Sequence, residues 1–376
     1  VVTGDIKWDV SDAVISRDRK RMAFAVNENG RSAIYLLDPR TRKYRPIENI
    51  PTGVAGSIAF SPDGRKLAMT LNTATTPSDT FVLELGQAPL DYGTLTRWTY
   101  SEVGGLDTTA FREPELISYP TFDKVDGKPR EIPAWVYKPA GEGPVPVVVS
   151  IHGGPEAQSR PWFISTYQMW LAKLGVAVVV PNVRGSSGYG KTYLGLDNGF
   201  KREDSVKDIG ALLDWIALQP DLDADRVAVF GGSYGGYMVL ASAVHYSDRL
   251  RAAVDIVGIS NFVTFLENTQ DYRRDLRRVE YGDERDPEMR AHLEKISPLN
   301  NVEKISVPMF VVQGENDPRV PVTEATQMVA ALREQGNTVW YMNALNEGHG
   351  YRKKENRDIY QQATVLFLQQ YLVGQE

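Results

Sequence analysis

The most constraining feature of this chain is one junction. The apolar run Arg226–Phe230 leads directly into Gly231-Gly-Ser-Tyr-Gly235, and Gly236 to His245 then reads as a helix. Few folds accept a strand, a G-x-S-x-G turn and a helix in that order. Glycine is needed two positions either side of the serine because strand, turn and helix crowd one another there, and the turn projects the serine hydroxyl outward. Ser233 is therefore placed for nucleophilic attack.

The elements around the junction have one rhythm. Short Val/Ile-rich strands are expected at Val145–Ile151, Val176–Pro181, Arg226–Phe230, Ala252–Val257, Met309–Gln313 and Thr338–Met342. Helices are expected near Pro161–Leu174, Asp204–Leu218, Tyr234–His245, Thr323–Glu334 and Asn356–Leu372. This alternation marks a mostly parallel sheet flanked by helices, an α/β-hydrolase fold, over residues 116–376. In such sheets reactive groups collect where loops leave the carboxyl ends of the strands.

A serine hydroxyl is a weak nucleophile and needs a base, and in this fold the chain order is Ser, then Asp or Glu, then His. Of the four histidines, His245, His292 and His349 come after Ser233. His245 lies in the helix that the elbow starts and is carried away from the strand ends. His292 lies in the charged segment Pro287–Ile296 and reads as solvated. His349, in Asn346-Glu-Gly-His-Gly350, sits in a loop after the last expected strand, so it is the expected base. The acid should come after the preceding strand, where Gly314-Glu-Asn-Asp-Pro318 offers Glu315 and Asp317. Asp317, before Pro318, is the choice here, and Glu315 stays open because sequence alone does not decide which carboxylate points inward. Charge that develops on a carbonyl oxygen needs donors. The backbone N–H of Tyr234 should be one, and Gly154 in Ile151-His-Gly-Gly-Pro155 the other. His152 of that loop precedes the nucleophile and reads as structural.

The front of the chain has another period. Ser16-Arg-Asp-Arg-Lys-Arg-Met-Ala-Phe24 is echoed by Ser61-Pro-Asp-Gly-Arg-Lys-Leu-Ala-Met69, an offset of 45 residues from Ser16 to Ser61. Each copy is a polar turn and an alternating strand, with a second strand after it (Ser32–Leu37, Thr80–Leu85). A repeat of that length is the size of a propeller blade. Residues 1–115 are read as an all-β partial β-propeller of about two blades.

Composition removes other classes. With Lys+Arg 42 against Asp+Glu 48 and a net charge of -6, there is no basic footprint for nucleic acid or an anionic membrane. No apolar run approaches the roughly 18 residues that span a bilayer, and Val1–Trp8 shows no signal-peptide pattern. The absence of cysteine excludes disulfides and thiolate sites and fits a reducing compartment, so a cytoplasmic location is expected. No cofactor and no metal are expected. One rival motif exists: Gly185-Ser-Ser-Gly-Tyr-Gly-Lys-Thr192 fits a nucleotide-binding G-x-x-x-x-G-K-[ST] loop. A phosphate loop leaves its strand directly and opens a helix. Here Asn182-Val-Arg184 intervenes, and Gly195, Asn198 and Gly199 interrupt the helix that should come next, so the stretch reads as a tight loop anchored by Arg184.

Assembled, these residues resemble the prolyl oligopeptidase family of serine peptidases, in which a β-propeller precedes an α/β-hydrolase domain. The resemblance runs from Ile117 onward and rests on His152-Gly-Gly-Pro155, Asn182-Val-Arg-Gly-Ser-Ser-Gly-Tyr-Gly190, Gly231-Gly-Ser-Tyr-Gly-Gly236, Gly314-Glu-Asn-Asp-Pro-Arg-Val-Pro321 and Gly348-His-Gly350. It implies a Ser233–Asp317–His349 triad. His-Gly-Gly-Pro is similar to the acylaminoacyl-peptidase branch, where a glycine amide completes the oxyanion hole. The implied substrate is a short peptide, cleaved through an acyl-enzyme, with a carboxylesterase acting on small esters as the alternative. The segment Phe262–Tyr281 is expected to help form the acyl pocket, with a solvated face as an equal reading for Arg273, Arg274, Arg277 and Arg278. Family members carry seven or eight blades, so the resemblance further implies a partner for the open propeller edge: a separate polypeptide with the missing blades, or a homo-oligomer.

Overall fold

The computed structural model describes residues 1–374. The chain divides into two compact units. One comprises Val1–Pro114, Gln158–Gln168 and Gly188–Gly190; the other comprises Glu115–Ala157, Met169–Ser187 and the chain from Lys191 onward.

The first unit carries two four-stranded antiparallel sheets, ordered as simple meanders. One is β1 (Asp9–Ile15), β2 (Met22–Glu28), β3 (Arg31–Leu37) and β4 (Tyr44–Pro46). The other is β5 (Gly53–Phe60), β6 (Lys66–Thr73), β7 (Asp79–Leu85) and β8 (Tyr92–Arg97). The 45-residue echo is a repeated turn. Ser16 Oγ donates to Asp18 Oδ1 at 2.7 Å and Ser61 Oγ to Asp63 Oδ1 at 2.6 Å. Ser16 N–H reaches Arg21 O and Ser61 N–H reaches Lys66 O, both at 2.9 Å. The fourth residue of each turn is left-handed, Arg19 at φ 59° and Gly64 at φ 68°. Side chains of Ser and Asp that satisfy their own turn backbone start β2 and β6 in register. The inward residues Ile34, Leu36, Leu67, Met69 and Leu71 are then almost wholly buried.

The second unit is built on one eight-stranded sheet. Its strands are β9 (Glu115–Val125), β10 (Lys128–Tyr137), β11 (Val145–Ile151), β12 (Ala177–Pro181), β13 (Leu222–Gly232), β14 (Ala252–Ile256), β15 (Met309–Gly314) and β16 (Val339–Ala344). Between and after them lie α1 (Ser165–Leu174), α2 (Lys191–Leu194), α3 (Asp204–Ala217), α4 (Tyr234–Tyr246), α5 (Phe262–Asn268), α6 (Asp271–Tyr281), α7 (Pro287–Ile296), α8 (Val322–Glu334) and α9 (Lys354–Leu368). The order is β16-β15-β14-β13-β11-β12-β10-β9. The six strands β11 to β16 pair in parallel, as their Val/Ile runs require. The β9–β10 hairpin, which the sequence pattern did not mark, adds two antiparallel strands at one edge. Pro120 breaks the run in β9, and proline is tolerated there because an edge strand has N–H groups without a ladder partner. The strand order reverses at β11, with β12 on one side and β13 on the other. The loops that leave β11 and β13 therefore open a crevice between them. No helix among the described residues is long and apolar enough to cross a membrane.

Beside the strand that carries the elbow lies a buried acid. Asp255 on β14 is 1% exposed and pairs in register with Gly231. Its Oδ1 lies where a Cβ on Gly236 or Gly258 would sit, 2.4 and 2.0 Å away. Burial pushes this carboxyl up to about 7; the Gly258 N–H pulls it down and the Glu324 charge adds to the rise. A folded-state pKa above the unfolded value near 3.8 gives stability that is complete at pH values below 3.8 and is lost as pH rises through about 7. Asp255→Asn is expected to abolish this loss. Urea unfolding at pH 5 and pH 8 should show the mutant gaining on the wild type by about 3 kcal/mol between those values. Parallel curves for the two proteins would show that Asp255 ionises normally.

Candidate active site

The elbow begins with backbone geometry. Ser233 has φ 60° and ψ −122°, a conformation that costs a non-glycine residue roughly 1–3 kcal/mol and that the surrounding structure must impose. Its N–H is held by Ile256 O at 2.8 Å, and its carbonyl accepts from Gly236 N at 2.9 Å and Tyr237 N at 3.1 Å, so α4 starts immediately. A Cβ on Gly231 would lie 2.5 Å from Gly235 O, and one on Gly235 would lie 2.3 Å from Ile151 O. Only glycine fits at either position, which is the steric content of the motif.

His349 and Asp317 meet as the loop order predicts. Asp317 Oδ2 lies 2.8 Å from His349 Nδ1, and the carboxylate side chain is fully buried. Its other oxygen, Oδ1, accepts from the N–H groups of Arg319 at 2.8 Å and Val320 at 3.1 Å. A carboxylate so engaged accepts from Nδ1–H and leaves Nε2 with its lone pair free to take a proton. Glu315 is exposed, and its Oε2 accepts from Asn343 Nδ2. The His349 loop is pinned at both sides. Glu347 Oε1 accepts from Lys353 N at 2.8 Å and Asn356 Nδ2 at 2.9 Å, and Tyr351 Oη donates to Gln313 O at 2.8 Å. Gly314 lets the loop approach, since a Cβ there would be 2.1 Å from Gly348 O.

The loop after β11 lies against the elbow. A Cβ on Gly153 would be 2.8 Å from Gly232 O and 3.3 Å from Ser233 Cβ. Gly154 has φ 133°, open only to glycine, and a Cβ there would press on the amide of Glu156 at 2.7 Å. The Tyr234 N–H belongs to the first turn of α4, where helix amides point outward and the dipole favours negative charge.

His152 stays out of this chemistry: its Nε2 contacts Ser186 Oγ at 2.8 Å and its Nδ1 contacts Gly153 O at 2.7 Å. His245 is at the surface beside Glu203, 2.7 Å away. His292 is not solvated as the sequence suggested; it is half-buried with its ring 5.0 Å from Phe200, because α7 packs its middle inward. The Gly185–Thr192 stretch is a loop. Strand β12 ends at Pro181, α2 has only four residues, and Arg184 is locked to Asp208 at 2.8 Å and Asp123 at 2.9 Å.

The segment Phe262–Tyr281 does not present Arg273, Arg274, Arg277 and Arg278 as a solvated face; all four are half-buried. Phe262, Phe265 and Tyr281 are core residues, 0%, 1% and 2% exposed. Arg277 and Arg278 are part-buried and ion-paired, to Glu280 and to Glu284 and Asp275. The sequence also missed a buried ion pair, Arg202 with Asp197 at 2.7 Å, both side chains without exposure. Gly-Phe-Lys-Arg-Glu-Asp204 reads as surface, and no local pattern reveals that Arg202 turns inward under Tyr234.

A doubly wound sheet with a serine elbow, an adjacent glycine loop and a buried Asp–His pair on successive strand-end loops is the architecture of the α/β hydrolases. Residues 161–375 match the family model Peptidase_S9, the prolyl oligopeptidase family. The chain belongs to the prolyl oligopeptidase family. It is 36% identical over 238 residues to dipeptidyl aminopeptidase BIII of Pseudoxanthomonas mexicana, covering 62% of this chain and 34% of the relative. It is 31% identical over 341 residues to dipeptidyl peptidase family member 6 of Caenorhabditis elegans, covering 86% of this chain and 46% of the relative. The chain thus spans less than half the length of these curated relatives. In fold it is similar to Pyrococcus horikoshii acylaminoacyl peptidase, with a TM-score of 0.80 at 22% identity over 99% of this chain and 57% of that one.

Proposed function

We propose that this chain carries the catalytic part of a serine peptidase that hydrolyses short peptides through an acyl-enzyme on Ser233. The observation that carries the reading is the buried Asp317–His349 pair with a free Nε2, in the segment that matches the family. Ser233 Oγ attacks the scissile carbonyl carbon while His349 Nε2 takes its proton. The carbonyl oxygen becomes an oxyanion facing the N–H groups of Tyr234 and Gly154. Collapse breaks the C–N bond, and the imidazolium returns its proton to the leaving amine. Water, deprotonated by the same nitrogen, then releases the acid and restores Ser233.

Peptides are favoured over esters because the two curated relatives above are both named as dipeptidyl peptidases or aminopeptidases. The test is a comparison of three chromogenic substrates: a dipeptidyl anilide with a free amino terminus, an N-acetyl aminoacyl anilide, and a short p-nitrophenyl ester. Turnover of either anilide with kcat/KM at or above that of the ester, which is intrinsically more reactive, is the expected result. Ester hydrolysis with no anilide turnover would make the protein a carboxylesterase.

A further inference from the structure

The Gly154 peptide is a weak point in the site just described. Its amide must face an oxyanion, yet the residue has no side chain to pack and a backbone only glycine adopts. The Gly154 N–H lies in the Gly153–Gly154 peptide, whose carbonyl meets His152 Nδ1 at 2.7 Å, and the carbonyl on the far side of Gly154 is held from α6. Arg277 Nη1 donates to Gly154 O at 2.9 Å, and the same nitrogen is ion-paired with Glu280, one turn further along the helix. The two side chains are only 15% and 5% exposed. Glu280 in turn accepts, through its backbone carbonyl, from Arg202 Nη2.

Arg202 leads to the other donor. Its Nη1 lies 2.7 Å from Asp197 Oδ2 and 3.2 Å from Tyr234 Oη. The guanidinium sits 5.2 Å from the Tyr234 ring and 5.0 Å from the Tyr281 ring, and those two rings stack with centroids 5.9 Å apart at 14°. Tyr234 Oη also meets Asp197 Oδ2 at 3.2 Å and Ser205 Oγ at 3.0 Å. The last turn of α6 thus touches the carbonyl of one proposed oxyanion residue and, through one buried arginine, the side chain of the other. Desolvated ion pairs of this kind keep a fixed geometry, because either partner left alone would be a buried charge.

We propose that Arg277, held by Glu280, is a positioning residue that fixes the carbonyl side of Gly154, limits the backbone turn at that residue so that its N–H keeps its aim at the oxyanion, and ties the turn to the same frame as Tyr234. The proposal rests on the serine-peptidase reading above. An arginine suits the task because one guanidinium nitrogen carries two N–H groups in a fixed plane, enough for a carbonyl and a carboxylate together. Misplacement of a donor by a fraction of an ångström weakens transition-state binding more than substrate binding.

The experiment compares the wild-type chain with Arg277→Gln, Arg277→Lys and Glu280→Gln. Its readouts are kcat and KM on the best chromogenic substrate and the Ki of a peptidyl trifluoromethyl ketone, whose serine adduct carries the oxyanion. Arg277→Gln is expected to lower kcat by about 10- to 100-fold and raise Ki by a similar factor, with KM changed less than about threefold. Arg277→Lys should recover about threefold or more of each loss, since it keeps a charged donor. Glu280→Gln should give a smaller loss of the same kind, not additive with Arg277→Gln because it acts through Arg277. If Arg277→Gln does not fold, Glu280→Gln and Arg277→Lys carry the test alone. Unchanged kcat and Ki, or an effect confined to KM, would overturn the proposal. Wild-type protein that neither hydrolyses these substrates nor takes up a fluorophosphonate at Ser233 would instead overturn the peptidase reading, whatever Arg277 does.

Discussion

Ser233→Ala is expected to reduce kcat by roughly 10⁴- to 10⁶-fold on any substrate the wild type hydrolyses and to abolish fluorophosphonate labelling. The loss should be that large because, in the proposed mechanism, nucleophile, base and acid act as one unit, so that removing one disables the others. The mutant should still fold. The elbow is held by Ile256 O, by the α4 amides and by glycine contacts that do not involve the Ser233 hydroxyl. The protein has a second serine beside a histidine, and it provides the control. Ser186 Oγ lies 2.8 Å from His152 Nε2, but it donates to Val183 O at 2.7 Å and is only 1% exposed. Ser186→Ala should leave labelling intact. Labelling that survives in Ser233→Ala and disappears in Ser186→Ala would reassign the nucleophile.

Asp317→Asn should be nearly as damaging, with kcat down about 10⁴-fold, whereas Glu315→Gln should change it less than about threefold. The asymmetry arises from where the two carboxylates face. Asp317 is fully buried, receives two backbone N–H groups on one oxygen and holds His349 Nδ1 on the other. An amide there can turn its NH2 toward Nδ1, so that the wrong ring nitrogen carries the proton and none can accept from Ser233. Glu315 is in solvent beside Asn343, and its loss leaves the imidazole untouched. Steady-state kinetics of the two single mutants, with circular dichroism to show that both are folded, decide the matter. Equal effects would mean that His349 is oriented by something other than Asp317.

Much of this arrangement can be read from the chain without coordinates, and the reason is local. The elbow depends on contacts between residues no more than a few positions apart and on the ends of the two neighbouring strands, β11 and β14, so it must be written as glycine, serine and glycine in fixed spacing. The echoed turns at Ser16 and Ser61 are equally local, since each serine and aspartate satisfies its own backbone. The parallel strands announce themselves because both their faces are buried, which demands unbroken Val/Ile runs. Where the demand is weaker the pattern fades. The edge strand β9 alternates and contains Pro120, and it carried no readable signal.

The sequence by itself determined which loops carry the serine, the carboxylates and the histidine of the proposed site, in what order, and which folds can bring them to one edge of a sheet. It did so because period, glycine spacing and strand–loop order are constraints between near neighbours. Only the tertiary structure decided which of two carboxylates in the same short loop meets His349, why His292 is half-buried, and that Arg277 turns from an arginine-rich helix to the Gly154 carbonyl. The Asp317–His349 and Gly154–Arg277 contacts join residues 32 and 123 positions apart. Nothing in the local pattern of Asp271–Tyr281 distinguishes an arginine in solvent from one in a buried ion pair. The difference is the desolvation of a charge, and desolvation is a property of the packing that the rest of the chain builds around it.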